Sequence, residues 1–197
     1  MGFSVEKVVF CRLVCVLGLL VAVLAGCSPL SIQQQPQTNS NNFDTDMQGW
    51  GVSEGGIGSF SATGGHPGGY LAGEDRTTGD WYYIASPAFL DVVRGGYGKT
   101  LRFELKQSAI DSVYSVPDDV ILTDGTTTLT VDNAYSPART WTYYAVRLDE
   151  LSGWKKGKSA ATRAEIRAVL QNLTALWIRG EFRGGPDQGG LDNVAVY

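Results

Sequence analysis

The sequence has few cysteines and histidines, the residues that form disulfides and bind zinc. It contains three cysteines and one histidine in 197 residues. Cys11 and Cys15 lie in an apolar N-terminal segment, so only Cys27 would remain after removal of a signal peptide. We therefore expect no internal disulfide and no thiolate metal site. His66 lies in a Gly-Pro loop, and no nucleophile-elbow pattern or second zinc ligand accompanies it.

The sequence also lacks a basic stretch and a long apolar run. Without residues 1–26 the chain has 14 basic and 19 acidic residues, a net charge of −5. This balance argues against nucleic acid and anionic membrane surfaces as partners. The longest apolar run, residues 13–23, has eleven residues. It is too short to span a bilayer and is typical of the central region of a signal peptide.

The apolar run ends in "LAGC", residues 24–27. This motif resembles the lipobox of bacterial lipoproteins, which implies a signal peptide at 1–26 and lipidation of Cys27. The alternative is an ordinary secretory signal that ends near a cysteine. Lipidation would anchor the protein to a membrane of the cell envelope. Ser28 follows the cysteine and leaves sorting to the outer membrane or cell surface open, with the periplasmic face as the alternative.

The segment from Cys27 to residue 42 contains no charge and many Gln, Asn and Ser residues. Such a segment cannot bury enough apolar surface to fold, so we expect a flexible tether. Residues 43–197 are long enough for one domain with its own core.

Several segments of this domain alternate apolar and polar residues, which is typical of half-buried strands. They are "LRFELK" at 101–106, "WTYYAVRL" at 141–148 and "LWIRGEFR" at 176–183. A hairpin is predicted within 119–132, around Asp124-Gly125. Short antiparallel strands with glycine-rich links predict an all-β sandwich.

One short helix is predicted near 163–172. Thr162 and Glu165 have the spacing of a capping box, and the apolar residues that follow recur at helical spacing. We expect this helix to close one end or edge of the sandwich.

An ordered set of segments resembles the laminin B domain, also called laminin domain IV. The set comprises "FDTDMQGW" (43–50), "GGYL" (68–71), "WYYIASPAFL" (81–90), "YGKTLRFELK" (97–106), "DVILTDG" (119–125), "WTYYAVRLDE" (141–150), "LQNLTALWIRGEF" (170–182) and "GLDNVAV" (190–196). The resemblance implies a jelly-roll β-sandwich of the galactose-binding-like class, and a non-catalytic extracellular module. Cysteine-rich EGF-like repeats are missing, so a basement-membrane role is not carried over.

The resemblance also suggests calcium, because jelly rolls of this class often bind one structural Ca²⁺ where the first and last strands meet. Asp44 is predicted to open the first strand and Asp192 the last, so both carboxylates would reach one ion. Ca²⁺ needs six to eight oxygen ligands, and glycine-rich loops offer carbonyls. The alternative is that Asp192 and Asn193 only make turn hydrogen bonds.

A ligand-binding row is predicted at Trp177, Arg179 and Glu181, with an aromatic platform beside polar groups. Arg102 and Glu104, or Tyr143 and Arg147, are expected to line the same face. The alternative is an ion-pair ladder with Trp177 packed under a loop. The remaining tryptophans, Trp50, Trp81, Trp141 and Trp154, are predicted to lie in the core or at its ends.

An enzyme is not expected. The adjacent acids Asp118-Asp119 and Asp149-Glu150 would point to opposite faces of a strand, so neither is a ready pair for glycoside hydrolysis. The sequence therefore predicts a non-catalytic envelope lipoprotein that binds carbohydrate or another extracellular polymer. Two alternatives remain: a structural module that contacts another envelope protein, and a hydrolase.

Overall fold

In the computed structural model of the protein, residues 39–76 and 79–197 are described. The predicted signal peptide, the lipidation of Cys27 and the predicted tether up to residue 38 lie outside the described residues and stay predictions. The end of the predicted tether is wrong, because residues 40–41 form a strand that pairs with residues 194–195. Within the described ranges, no helix is both long and apolar enough to span a membrane.

The described residues form two antiparallel sheets and two helices. The first sheet has the order β3-β4-β13-β6-β9, with β1 also paired to β13. Its strands are β1 (Ser40–Asn41), β3 (Gly56–Ser61), β4 (Tyr70–Asp75), β6 (Thr100–Gln107), β9 (Thr142–Arg147) and β13 (Gln188–Val196).

The second sheet has the order β11-β10-β8-β7-β12-β5-β2. Its strands are β2 (Gly51–Val52), β5 (Tyr82–Ile84), β7 (Val120–Thr123), β8 (Thr128–Val131), β10 (Lys155–Lys156), β11 (Ser159–Ala160) and β12 (Ala175–Arg179). The predicted hairpin is confirmed, with β7 and β8 paired around Asp124-Gly125.

One hydrophobic core lies between the sheets, as a β-sandwich requires. Alternate residues of β6, Leu101, Phe103 and Leu105, are buried on one side. Leu176 and Ile178 of β12 are buried on the other. The alternation that predicted these strands therefore also selects their core faces.

Two helices are present where the sequence predicted one. The predicted helix is α2 (Arg163–Gln171), whose capping box of Thr162 and Glu165 is formed as expected. The helix that the sequence analysis missed is α1 (Pro87–Arg94). The Ser86 hydroxyl accepts a hydrogen bond from the Phe89 N–H and caps its start.

Both helices pack on the core through short apolar faces. Phe89, Leu90 and Val93 of α1 are buried, and α2 packs against β7 and β8. The Arg94 guanidinium donates to the Leu173 carbonyl at 2.8 and 3.1 Å, which ties the end of α1 to the segment after α2. Helix α2 therefore packs directly against the second sheet, and α1 is joined to it through α2.

Candidate functional site

The predicted row at Trp177, Arg179 and Glu181 does not form one exposed face. Trp177 is half-buried on the outer face of the second sheet, with its ring centroid 6.0 Å from that of Tyr82. Arg179 and Glu181 are buried, with 2% and 6% of their surfaces exposed. Strand β12 ends at Arg179, so the alternation of the row does not continue to Glu181.

The side chains expected to join this row lie elsewhere. Arg102 and Glu104 belong to β6, and Tyr143 and Arg147 to β9, which are neighbours in the first sheet. The prediction that they share a face with Trp177 is wrong, because β12 belongs to the second sheet. Period-two alternation identifies the two faces of a strand but not the sheet to which the strand belongs.

Arg179 fixes the segment that covers it. Its guanidinium donates to the carbonyls of Tyr114 (2.6 Å) and Val116 (2.8 Å), and to the Asp119 carboxylate (3.1 Å). It also lies over the Phe182 ring, 4.6 Å from the centroid. The ion-pair alternative therefore describes Arg179, whose role is structural.

The outer face of the first sheet carries an aromatic and basic cluster of Tyr70, Lys106 and Trp141. The rings of Tyr70 and Trp141 meet edge to face at 5.4 Å. The Lys106 ammonium lies 3.7 Å from the Tyr70 centroid and 4.5 Å from that of Trp141. Such contacts hold an ammonium group against aromatic faces.

A glycine makes this cluster possible. Gly190 lies in register with Lys106 on one side and Ala72 on the other. A Cβ atom at Gly190 would lie 2.9 Å from atoms of Lys106, Trp141 and Tyr70. The three side chains therefore rest directly on the backbone of β13, and any larger residue there would displace them.

Beside this cluster lies a groove of about 240 Å³, which we call the sheet groove. Its lining comprises Tyr70, Lys106, Gln107, Ser108, Arg139 and Gln188. Gln107 is 6% exposed, and its Oε1 atom is buried without a hydrogen-bond partner among the described residues. The amide nitrogen of the same side chain donates to the Pro137 carbonyl. The groove thus combines an aromatic side chain with two cations, whereas the side chain of Gln107 alternates with that of Lys106 and faces the core.

Sequence reasoning missed the sheet groove because it assigned Trp141 to the core or its ends. Trp50, Trp81 and Trp154 are buried as expected, but Trp141 is half-exposed. Trp141 immediately precedes β9, and its indole N–H donates to the Gly64 carbonyl at 3.1 Å. Its neighbours come from β4 and β6, and contacts of such sequence separation leave no local pattern.

Asp44 and Asp192 face the same loop, residues 64–69. Asp192 is fully buried and accepts hydrogen bonds from the N–H groups of His66 (2.6 Å) and Asn193 (2.7 Å). The Asp44 carboxylate lies against the Cα of Gly68 in this loop. The His66 imidazole lies 2.8 Å from the Glu104 carboxylate, so the histidine closes the loop onto β6.

The strand positions predicted for the two aspartates are wrong. Asp44 lies in the loop after β1, and Asp192 lies in the middle of β13 rather than at its start. The register of β13 with β6 shifts between Asp192 and Ala195, and Asn193 has a φ of 52°. This bulge directs Asp192 under the loop.

Burial and, to a smaller extent, the carboxylates of Glu104 and Asp44 raise the pKa of Asp192 to about 6. Its two backbone hydrogen bonds act in the opposite direction. In the part of the chain that the structure describes, no three His, Cys, Asp or Glu side chains are grouped to hold a metal. The turn hydrogen bonds are therefore present, and the calcium ion stays a prediction.

The sequence from residue 82 to residue 196 matches the family model of laminin B (domain IV), which covers more than half of the chain. This chain belongs to the laminin B family. The match spans the strands from β5 to β13, so it includes Lys106 and Trp141 of the aromatic and basic cluster and Gly190 beneath them.

Similar solved structures are found at low sequence identity. "Cellulose induced protein, Cip1" matches with a TM-score of 0.50 and 11% identity, over 80% of this chain and 96% of that chain. The L4b domain of human laminin alpha-2 matches with a TM-score of 0.49 and 16% identity, over 59% and 70%. A family 11 carbohydrate-binding module of Clostridium thermocellum has a TM-score of 0.47 and 14% identity, over 81% and 94%.

No curated protein matches the sequence. The family match and the sandwich topology together confirm the predicted fold class, with the second helix as the correction. At 11% identity the match to Cip1 bears on the fold alone and does not identify a ligand for this chain.

Proposed function

We propose that this laminin B domain is a non-catalytic module that binds carbohydrate in the sheet groove. The observation that carries the proposal is the aromatic pair Tyr70–Trp141 on the outer face of the first sheet, beside a groove that Tyr70, Lys106 and Arg139 line. Sugar rings present apolar C–H faces to aromatic side chains and hydroxyl groups to polar ones. The sheet groove offers both kinds of contact within one concave surface.

The polar groups of the sheet groove suit neutral hydroxyl ligands. Lys106 and Arg139 can donate to hydroxyl or ring oxygens. The neighbouring residues Ala72 and Gly190 are small, so their side chains leave space above the sheet for a ligand.

A glycan array tests this proposal with wild type, Trp141→Ala and the matched control Trp177→Ala. Both variants remove one half-buried tryptophan, but only Trp141 belongs to the cluster beside the sheet groove. We expect wild type and Trp177→Ala to bind the same glycans, and Trp141→Ala to lose at least tenfold in affinity. Melting curves of the three proteins check that Trp141→Ala remains folded.

Two results would contradict the proposal. One is a wild-type protein that binds no glycan, with an envelope protein recovered by cross-linking, which would favour the structural alternative. The other is loss of glycan binding in Trp177→Ala with retention in Trp141→Ala. This result would place the glycan site at Trp177 instead of the sheet groove.

We also propose that the domain is held at the cell envelope by lipid on Cys27. The support is the "LAGC" motif after an eleven-residue apolar run. Mass spectrometry of the mature protein should find an acylated N-terminal Cys27, and Cys27→Ser should release the domain from membranes. An unmodified Cys27 would contradict the proposal and favour the alternative of an ordinary secretory signal.

We further propose that Asp44 and Asp192 share one structural calcium ion, with carbonyls of the 64–69 loop and water as further ligands. The support is that both carboxylates face this loop and that Asp192 is buried beside other acids. Addition of a chelator should lower the melting temperature, and Asp44→Asn should remove that effect. Identical melting curves in chelator and in excess calcium would refute the ion.

A further inference from the structure

A second cavity lies at the end of β4, apart from the sheet groove. It has a volume of about 550 Å³, and we call it the acidic cavity. Its main lining residues are Glu74, Asp75, Arg76, Tyr114, Glu181 and Pro186. The volume lies in the range of pockets for small organic ligands and exceeds what a bare metal ion fills.

Glu181 is the buried group that this cavity leaves unsatisfied. Only 6% of its surface is exposed, and its Oε2 atom has no hydrogen-bond partner among residues 39–76 and 79–197. A buried carboxyl group without partners is costly, and native structures rarely retain one without a reason. The fold therefore holds a carboxyl group at this cavity without hydrogen-bonding its Oε2 atom.

The charges around Glu181 are mainly negative. Burial, followed by the nearby carboxylates of Asp75, Asp187 and Asp80 in that order, raises the pKa of Glu181 to about 7. Arg179 lowers the pKa, but its guanidinium already donates to Asp119 and to two carbonyls. Arg76 forms an ion pair with Glu74 at 3.5 Å.

This arrangement favours an organic cation over the other ligand classes. An anion would meet several carboxylates, and the described residues contain no group of three His, Cys, Asp or Glu side chains able to hold a metal. A primary ammonium group brings three donors and one positive charge, which together match an unpartnered carboxylate. Tyr114 and Pro186 supply apolar surface for the carbon chain of such a ligand.

We propose that the acidic cavity binds ligands through a primary ammonium group, with the Glu181 carboxylate as its hydrogen-bond acceptor. This site is separate from the sheet groove and does not depend on carbohydrate binding there. Its specificity would come from charge and from the carbon chain that follows the ammonium group.

The test uses two small probes of equal length, 1,4-diaminobutane and 1,4-butanediol, titrated into the whole domain and followed by NMR. We expect the diamine to shift the amide signals of Tyr114, Gly184 and Gly185, which line the cavity, and the diol to leave them unchanged. Glu181→Gln should weaken the diamine at least tenfold. Asp91→Asn, which removes one exposed carboxylate from α1, should leave its affinity unchanged.

The pH dependence gives a second readout that needs no variant. The charged groups near Glu181 are Glu74, Asp75 and Arg76 at the end of β4, Asp80 before β5, Arg179 of β12 and Asp187 before β13. Affinity for the diamine should rise between pH 6 and pH 8, because Glu181 ionises near pH 7. Glu181→Gln should remove this rise.

Three results would overturn the proposal. They are equal shifts with the diol, no saturable shifts with the diamine at pH 8, and equal weakening by Glu181→Gln and Asp91→Asn. The last result would indicate general attraction of a cation to an acidic protein.

Discussion

Arg179 and Glu181 are two residues apart, are both buried, and have opposite hydrogen-bonding states. The Arg179 guanidinium contacts one carboxylate and two carbonyls. Glu181 has an Oε2 atom with no partner in the described chain and lines a cavity. Burial alone therefore does not distinguish a structural ion pair from a candidate binding group.

The difference follows from what each side chain meets. The segment 114–119 folds over Arg179 and presents carbonyls and Asp119 to it. Glu181 follows the end of β12 and meets the acidic end of β4 instead. A charge that the fold surrounds with partners stabilises the fold, whereas one surrounded by like charges is available to a ligand.

The largest expected effect on stability comes from Arg179→Ala. Removal of the guanidinium leaves Asp119 buried without its cation and frees the carbonyls of Tyr114 and Val116. Burial already raises the pKa of Asp119. We expect the free energy of unfolding to fall by about 3–5 kcal/mol in urea titrations. A loss below about 1 kcal/mol would show that the ion pair does not hold the 114–119 segment.

An intermediate effect is expected from Asp192→Ala, because this buried acid has partners but no cation. The substitution leaves the N–H groups of His66 and Asn193 without acceptors, which should cost about 1–3 kcal/mol. Urea denaturation at pH 8, in the absence of calcium, measures this loss. An unchanged midpoint would mean that the 64–69 loop is held by its other contacts, such as the Lys106 ammonium on the Gly64 carbonyl.

The smallest expected effect, and one of opposite sign, comes from Glu181→Gln. The pKa of Glu181 is raised from 4.5 to about 7 in the folded protein, so the folded state binds more protons than the unfolded state between these values. The contribution of this group to stability therefore falls as pH rises from about 4.5 to 7.

Glu181→Gln should remove that fall, so the variant should gain about 1–2 kcal/mol on wild type between pH 4 and pH 8. Melting temperatures of both proteins across this range measure the difference. Parallel curves would show that Glu181 does not titrate in this interval. Asp192→Asn serves as the comparison, since its acid, raised to a pKa of about 6, should act at lower pH.

The sequence was sufficient to predict the features that depend on neighbours along the chain. Alternation identified β6, β9 and β12, the Asp124-Gly125 turn identified the β7–β8 hairpin, and Thr162 with Glu165 identified α2. The helix α1 carried local signals as well, namely the capping residue Ser86 directly before Pro87 and the apolar residues Phe89, Leu90 and Val93 at helical spacing. It was missed because its eight residues follow directly after a strand-like aromatic run.

The candidate sites could not be predicted in the same way. Tyr70, Lys106 and Trp141 come together only because β13 lies between β4 and β6. The protonation of Glu181 depends on three acids that are distant in sequence, Asp75 in β4, Asp80 before β5 and Asp187 before β13. Residue type and spacing record that an acid is present, but they do not record whether anything pairs with it.

The place of β13 has a consequence for the order of events during folding. This strand pairs with β1, β4 and β6, so the pairing of these three strands is incomplete until β13 is in place. Until residues 188–196 arrive, β4 and β6 present open edges, and an open edge is a template for unwanted pairing.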